Sequence, residues 1–89
     1  MAMKLKLNQV EVEFNLYNAN TAEIYEKGNR EVMEVSEEAM KCDSLAEAIR
    51  KEYTAIVGLF DALFGEGKGT EICGTEPDLN PCLDAYETL

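Results

Sequence analysis

Two apolar periods divide the chain. Over its first stretch apolar and charged residues alternate: Met3, Leu5 and Leu7 with Lys4 and Lys6, then Val10, Val12 and Phe14 with Glu11 and Glu13. A period of two predicts strands with one buried face. Taking Asn8-Gln9 as a two-residue turn sets Leu7 opposite Val10, Leu5 opposite Val12 and Met3 opposite Phe14. The same register sets Lys6 opposite Glu11 and Lys4 opposite Glu13. One choice of turn thus makes one face apolar and the other charge-paired, and a β-hairpin is expected over residues 3–14. Asn-Gln is a poorer turn than Asn-Gly, because glutamine resists positive φ. A lone hairpin is marginal, so its apolar face is expected to lie on a helix or on another subunit.

After Asn15–Asn20, a polar connector with three asparagines, the apolar period lengthens to that of a helix. Asn20 is the expected N-cap, with Glu23 at the third helical position. Ala22, Tyr25, Val32, Val35 and Ala39 share one face of a helix expected over residues 21–41, flanked by Ile24 and Met33. Gly28 interrupts this stripe. It marks either a bend or close crossing near Lys27–Asn29, or a solvent-side glycine without consequence. Cys42-Asp43 is a short link and predicts an antiparallel αα-hairpin.

The strongest signal follows. Ser44 and Glu47 form an S-x-x-E capping box. Leu45, Ile49, Tyr53, Ile56, Phe60 and Leu63 then recur at helical spacing, widened by Val57 and Phe64, and predict a main helix over residues 44–64. Gly65 suits a helix stop. Residues 65–80 are expected to be a glycine-rich loop in which Ile72 and Cys73 tuck under the core. Asn80-Pro81 is a good helix start, and Cys82, Leu83, Tyr86 and Leu89 give a C-terminal helix over 81–89 an apolar side. The fold class expected is α+β: an N-terminal β-hairpin packed on a mainly α-helical bundle of about three helices, one small domain over residues 1–89.

Composition narrows the functions. The 89 residues carry a formal charge of −10, from 18 acids and 8 bases. From Tyr53 onward Lys68 is the one base. Such a surface repels phosphate backbones and anionic lipid, so no nucleic-acid or membrane binding is expected. No run approaches a membrane span, and Met1–Leu16 has no continuous apolar stretch of the secretory kind. Cys42, Cys73 and Cys82 cannot all pair within one chain and fit reduced thiols in a cytoplasm. Met1-Ala2 reads as an addition before a natural start at Met3. Tyr86–Leu89 can still be helical, so a fragment or a short form of a longer product is expected.

Catalytic chemistry finds no footing. There is no histidine, serine occurs only at Ser36 and Ser44, and the cysteines sit on or beside apolar faces. Glu34, Glu37 and Glu38 read as a solvated face. Gly65-Glu66-Gly67-Lys68-Gly69-Thr70 lacks the G-x-x-x-x-G-K-[ST] spacing of a phosphate loop, and Glu66 would repel phosphate. No enzyme activity, cofactor or metal is expected. Many large rings for a small bundle point instead to protein contacts. The candidate protein-binding residues are Tyr53, Phe60 and Phe64, although the core is the simpler place for Phe60 and Tyr53. Self-association into a homo-oligomer is a further expectation.

The run Ile56-Val57-Gly58-Leu59-Phe60-Asp61-Ala62-Leu63-Phe64-Gly65-Glu66-Gly67, continuing to Ile72-Cys73-Gly74, resembles small tail-assembly proteins of long-tailed bacteriophages and prophages. Architecture is similar from Met3 to Leu89, and the motif itself is confined to about Phe60–Gly74. The resemblance implies a tail assembly chaperone in the bacterial cytoplasm, whose partners would be the tape-measure and tail-tube proteins. Many such proteins have a short and a frameshifted long form, and the group has no catalytic motif to carry over. Two alternatives stand beside it. One is a small acidic regulator or inhibitor that mimics nucleic acid and occupies a basic partner. The other is an enzyme subunit that supplies structure only.

Overall fold

The computed structural model describes residues 3–89, with the side chain of Met3 left aside. The readings of Met1-Ala2 and of the Met3 side chain fall outside the described residues. Strands β1 (Met3–Leu7) and β2 (Val10–Phe14) lead into helices α1 (Ala19–Met40), α2 (Leu45–Phe64), α3 (Lys68–Cys73) and α4 (Leu79–Thr88). The architecture is α+β, with a two-stranded antiparallel hairpin against four helices.

The hairpin adopts the register set by its alternation, with Leu7 opposite Val10, Leu5 opposite Val12 and Met3 opposite Phe14. Asn8 and Gln9 both take positive φ, 50° and 73°, the requirement of a tight turn whose twist matches the strands. Glutamine's reluctance is outweighed by what Asn8 gains. Its Nδ2 donates to the Ile72 carbonyl at 3.1 Å and the Pro81 carbonyl at 2.7 Å, which ties the turn to α3 and α4. On the outer face the ion pair is diagonal, Lys4 with Glu11 at 3.7 Å, and not between residues directly opposite.

Two helix starts lie earlier than the sequence pattern suggests. Asn18, not Asn20, caps α1. Its Oδ1 accepts from the N–H groups of Asn20 at 2.9 Å and Thr21 at 3.3 Å. The asparagine-rich connector is a turn followed by a cap, with the Asn18 N–H donating to the Asn15 carbonyl. Asp78, not Asn80, caps α4, accepting from the Asn80 N–H at 3.0 Å. A carboxylate suits the positive end of a helix. Pro81 then falls on the third helical residue, whose N–H has no intrahelical acceptor to lose. Ser44 caps α2 through the predicted hydroxyl contact to the Glu47 N–H, 3.3 Å.

The larger correction concerns residues 65–80. They do not form one glycine-rich loop, because Lys68–Cys73 is helix α3. Gly65 and Gly67 take φ of 115° and 92° and turn the chain sharply between α2 and α3. Gly69 lies inside α3, buried against α2. Any Cβ there would press into the Val57 carbonyl oxygen and come within 2.8 Å of Asp61 Oδ1. The Gly69 N–H donates to that carboxylate at 2.7 Å. These glycines are spent on a helix–helix corner, not on a flexible loop.

Helix α2 is the spine. It packs along α1 and carries α3, α4 and β2, while α4 also meets β1 and α3. Leu7, Ile56, Phe60, Cys73 and Cys82 are fully buried, with Val12, Val32, Leu59, Ile72 and Ala85 around them. Gly28 marks a close crossing, for its α-carbon faces the Leu59 side chain across α1 and α2. The hairpin, α3 and α4 gather at one end of the α1/α2 pair. The other end extends as an arm, and the molecule measures 44 × 25 × 20 Å.

Candidate functional site

The three residues singled out for partner contact take different positions. Phe60 is fully buried and is withdrawn as a contact residue: it sits where α2, the hairpin and the short helices converge. Its periodicity could not separate core from contact, since both use the same stripe. Phe64 is half-buried. Its ring stacks on Phe60 at 6.1 Å and meets Phe14 edge-on at 5.9 Å, and Phe14 in turn packs on Tyr25 at 5.7 Å. Tyr53 is half-buried, and its hydroxyl donates to the Gly74 carbonyl at 2.5 Å. Burial is the main cause that raises its pKa. These rings thus hold the fold together, and of the three candidates Tyr53 and Phe64 keep only their outer edges available to a partner.

The motif run has a structural meaning. Phe60 fills the core. Asp61 receives the Gly69 N–H, and it also accepts, through its backbone carbonyl, the Gly65 N–H at 2.9 Å. Gly65 and Gly67 make the turn, and Ile72 and Cys73 close the core beneath it. The motif therefore writes the α2–α3 corner. That corner offers nothing to phosphate: Lys68 pairs with Glu71 at 3.2 Å, and a carboxylate already holds the Gly69 N–H.

Exposed apolar surface lies elsewhere. Leu45 is 77% exposed, Met40 86% and Met33 61%. Leu45 begins the very stripe that carries Phe60, so this is the core face of α2 continued beyond the reach of the hairpin, α3 and α4. Met33 and Met40, seven residues apart, share one face of α1. On the arm beyond Val32 and Ile56, Ala39 alone is buried among the described residues. The sequence signal was present in Leu45. What it lacked was how far up the arm the covering elements reach.

On the opposite side of the α1/α2 pair runs an open cleft. One part, of 540 Å³, is lined by Glu31, Val35, Glu38, Glu47, Arg50, Lys51, Thr54 and Ala55. It continues past Lys27, Gly28, Gly58 and Ala62. Small residues give it its depth, and a Cβ at Gly58 would meet nothing within 4 Å.

The thiols differ in environment. Burial is the main cause that pushes the Cys73 and Cys82 thiols up, so both are held protonated. Cys42 is half-buried and donates to the Glu38 carbonyl at 3.6 Å. Among the described residues no group of three or more acidic, cysteine or histidine side chains is placed to hold a metal ion. No helix among them is long and apolar enough to cross a membrane.

Residues 8–89 match the model of a family of unknown function, DUF6673, and the chain belongs to that family. No curated protein and no solved structure matches it.

Proposed function

We propose that this protein is a non-enzymatic tail assembly chaperone of a phage or prophage, working in the bacterial cytoplasm through contacts with tape-measure and tail-tube proteins. The observation that carries the reading is the uncovered apolar face of the arm, Leu45 with Met33 and Met40. A chaperone needs apolar surface that stays open until a client covers it, and large apolar side chains left exposed on a small domain supply such surface. Methionines suit the role because their flexible side chains adapt to different clients. The family resemblance points the same way, although its motif residues build the α2–α3 corner and not the contact itself. The non-catalytic part rests on the sequence, which has no histidine and two serines, one of them a helix cap.

The test is affinity for phage tape-measure and tail-tube proteins. Binding that survives raised salt and is lost in Leu45→Asp/Met40→Asp, with the helical signal unchanged, supports the reading. Affinity that collapses with salt favours the acidic mimic of nucleic acid, and no binding to either protein removes the chaperone reading.

A further inference from the structure

The cleft on the other side of the arm carries a charge pattern that the chain as a whole does not. The protein has a formal charge of −10, yet the charged residues of this cleft balance, Glu31, Glu38 and Glu47 against Lys27, Arg50 and Lys51. Among the described residues the ion pairs are Lys4–Glu11 and Lys68–Glu71, so no two of the cleft's charged side chains stand within ion-pair distance of each other.

Their order along the cleft is informative. With Gly28 against Leu59 and the two helices antiparallel, Glu38 of α1 and Glu47 of α2 fall together at the tip. Arg50 and Lys51 come next, then Glu31 beside Thr54 and Ala55, and then Lys27 near Gly58. The signs run acidic, basic, acidic, basic. Reversing that series end for end and laying it on itself brings every acid onto a base. Lys27 meets Glu38 and Glu47, and Glu31 meets Arg50 and Lys51. At the centre lie Val35, Thr54 and Ala55, with Gly58 just beyond them, all small enough to let another helix come close.

We propose that a second copy of this chain occupies the cleft, the two α2 helices crossing antiparallel about a two-fold axis near Thr54. A two-fold interface must be self-complementary, and the charges of this face meet that condition. A basic client would be repelled by half of it and an acidic one by the other half. Opposed charges would fix the antiparallel register more than they add affinity. This pairing leaves Leu45, Met33 and Met40 free on the far side, and it does not depend on what they bind.

The experiment is mass by sedimentation equilibrium on the intact chain and three variants. Wild type is expected as a dimer. Gly58→Trp, placed where a side chain meets open space, should stay folded and become monomeric. Arg50→Glu/Lys51→Glu sets acid against acid, Glu31→Lys sets base against base, and each should raise the dissociation constant on the order of tenfold or more. Mixing these two charge variants should restore a dimer, because each then presents the complement of the other. A monomeric wild type overturns the proposal. So does a dimer indifferent to Gly58→Trp, or a pair of charge variants that mixing fails to rescue.

Discussion

Two helical glycines, Gly69 and Gly58, should respond in opposite ways to the same substitution. At Gly69 an added Cβ presses on the Val57 carbonyl and stands 2.8 Å from both Asp61 Oδ1 and Val57 Cγ1, short of the 3.4 Å at which ordinary contact begins. The carbonyl belongs to α2 backbone and cannot rotate away, so α3 must lift. Overpacking of this kind costs about 1–3 kcal/mol. Lifting α3 also stretches the Gly69 N–H bond to the Asp61 carboxylate, worth about 1.5–3 kcal/mol as a hydrogen bond to a charged group. Alanine's better helix propensity returns about 1 kcal/mol. Gly69→Ala should therefore lose about 1.5–5 kcal/mol, a large part of the stability of a small domain. Gly58→Ala meets nothing and should gain about 0.5–1 kcal/mol. Urea unfolding followed by circular dichroism, at dilutions that keep the chain monomeric, measures both. A Gly69→Ala protein as stable as wild type would refute the close α2–α3 packing.

Other expectations follow from the same packing. Phe60→Ala should cost about 3–5 kcal/mol, seen as a lower urea midpoint. A folded variant of unchanged stability would return Phe60 to the surface. Cys42 should react first with a thiol reagent, while Cys73 and Cys82 stay protected until the chain opens; equal labelling of all three in the native protein would contradict their burial. Because the buried thiols keep their protons above the ordinary cysteine pKa of about 8.5, the unfolded chain releases protons there that the folded chain retains. Stability is then whole below that pH and falls above it, by up to about 1.4 kcal/mol per pH unit for each thiol. A flat stability profile from neutral pH to pH 10 or so would exclude the raised values.

Much of the architecture was legible because local rules and long-range packing agree. The hairpin register follows from alternation alone, and the α2 stripe and its serine cap from helical spacing. What stayed illegible was decided by contacts between distant residues. Gly69 looks like a loop residue until α2 is placed beside it. Asn8 looks like an ordinary turn residue until the carbonyls of Ile72 and Pro81 are within reach. Asn18 and Asp78 took over as caps from neighbours of equal propensity, a choice the sequence leaves open by a residue or two. For the site, the stripe named Phe60 and Tyr53 as readily as Leu45. Which end of it remains uncovered depends on where the hairpin, α3 and α4 stop. The cleft on the other face left a weaker trace, since balanced charges spread over two helices look like ordinary solvated positions.

The most direct test of the account is a calorimetric titration of the protein with the tail-tube and tape-measure proteins proposed as its partners, at low and at raised salt. Contact through the apolar arm predicts saturable binding to at least one of them, with a negative heat-capacity change, little loss at raised salt, and no binding by Leu45→Asp/Met40→Asp. Absence of binding to both, or binding that this variant retains, would contradict it.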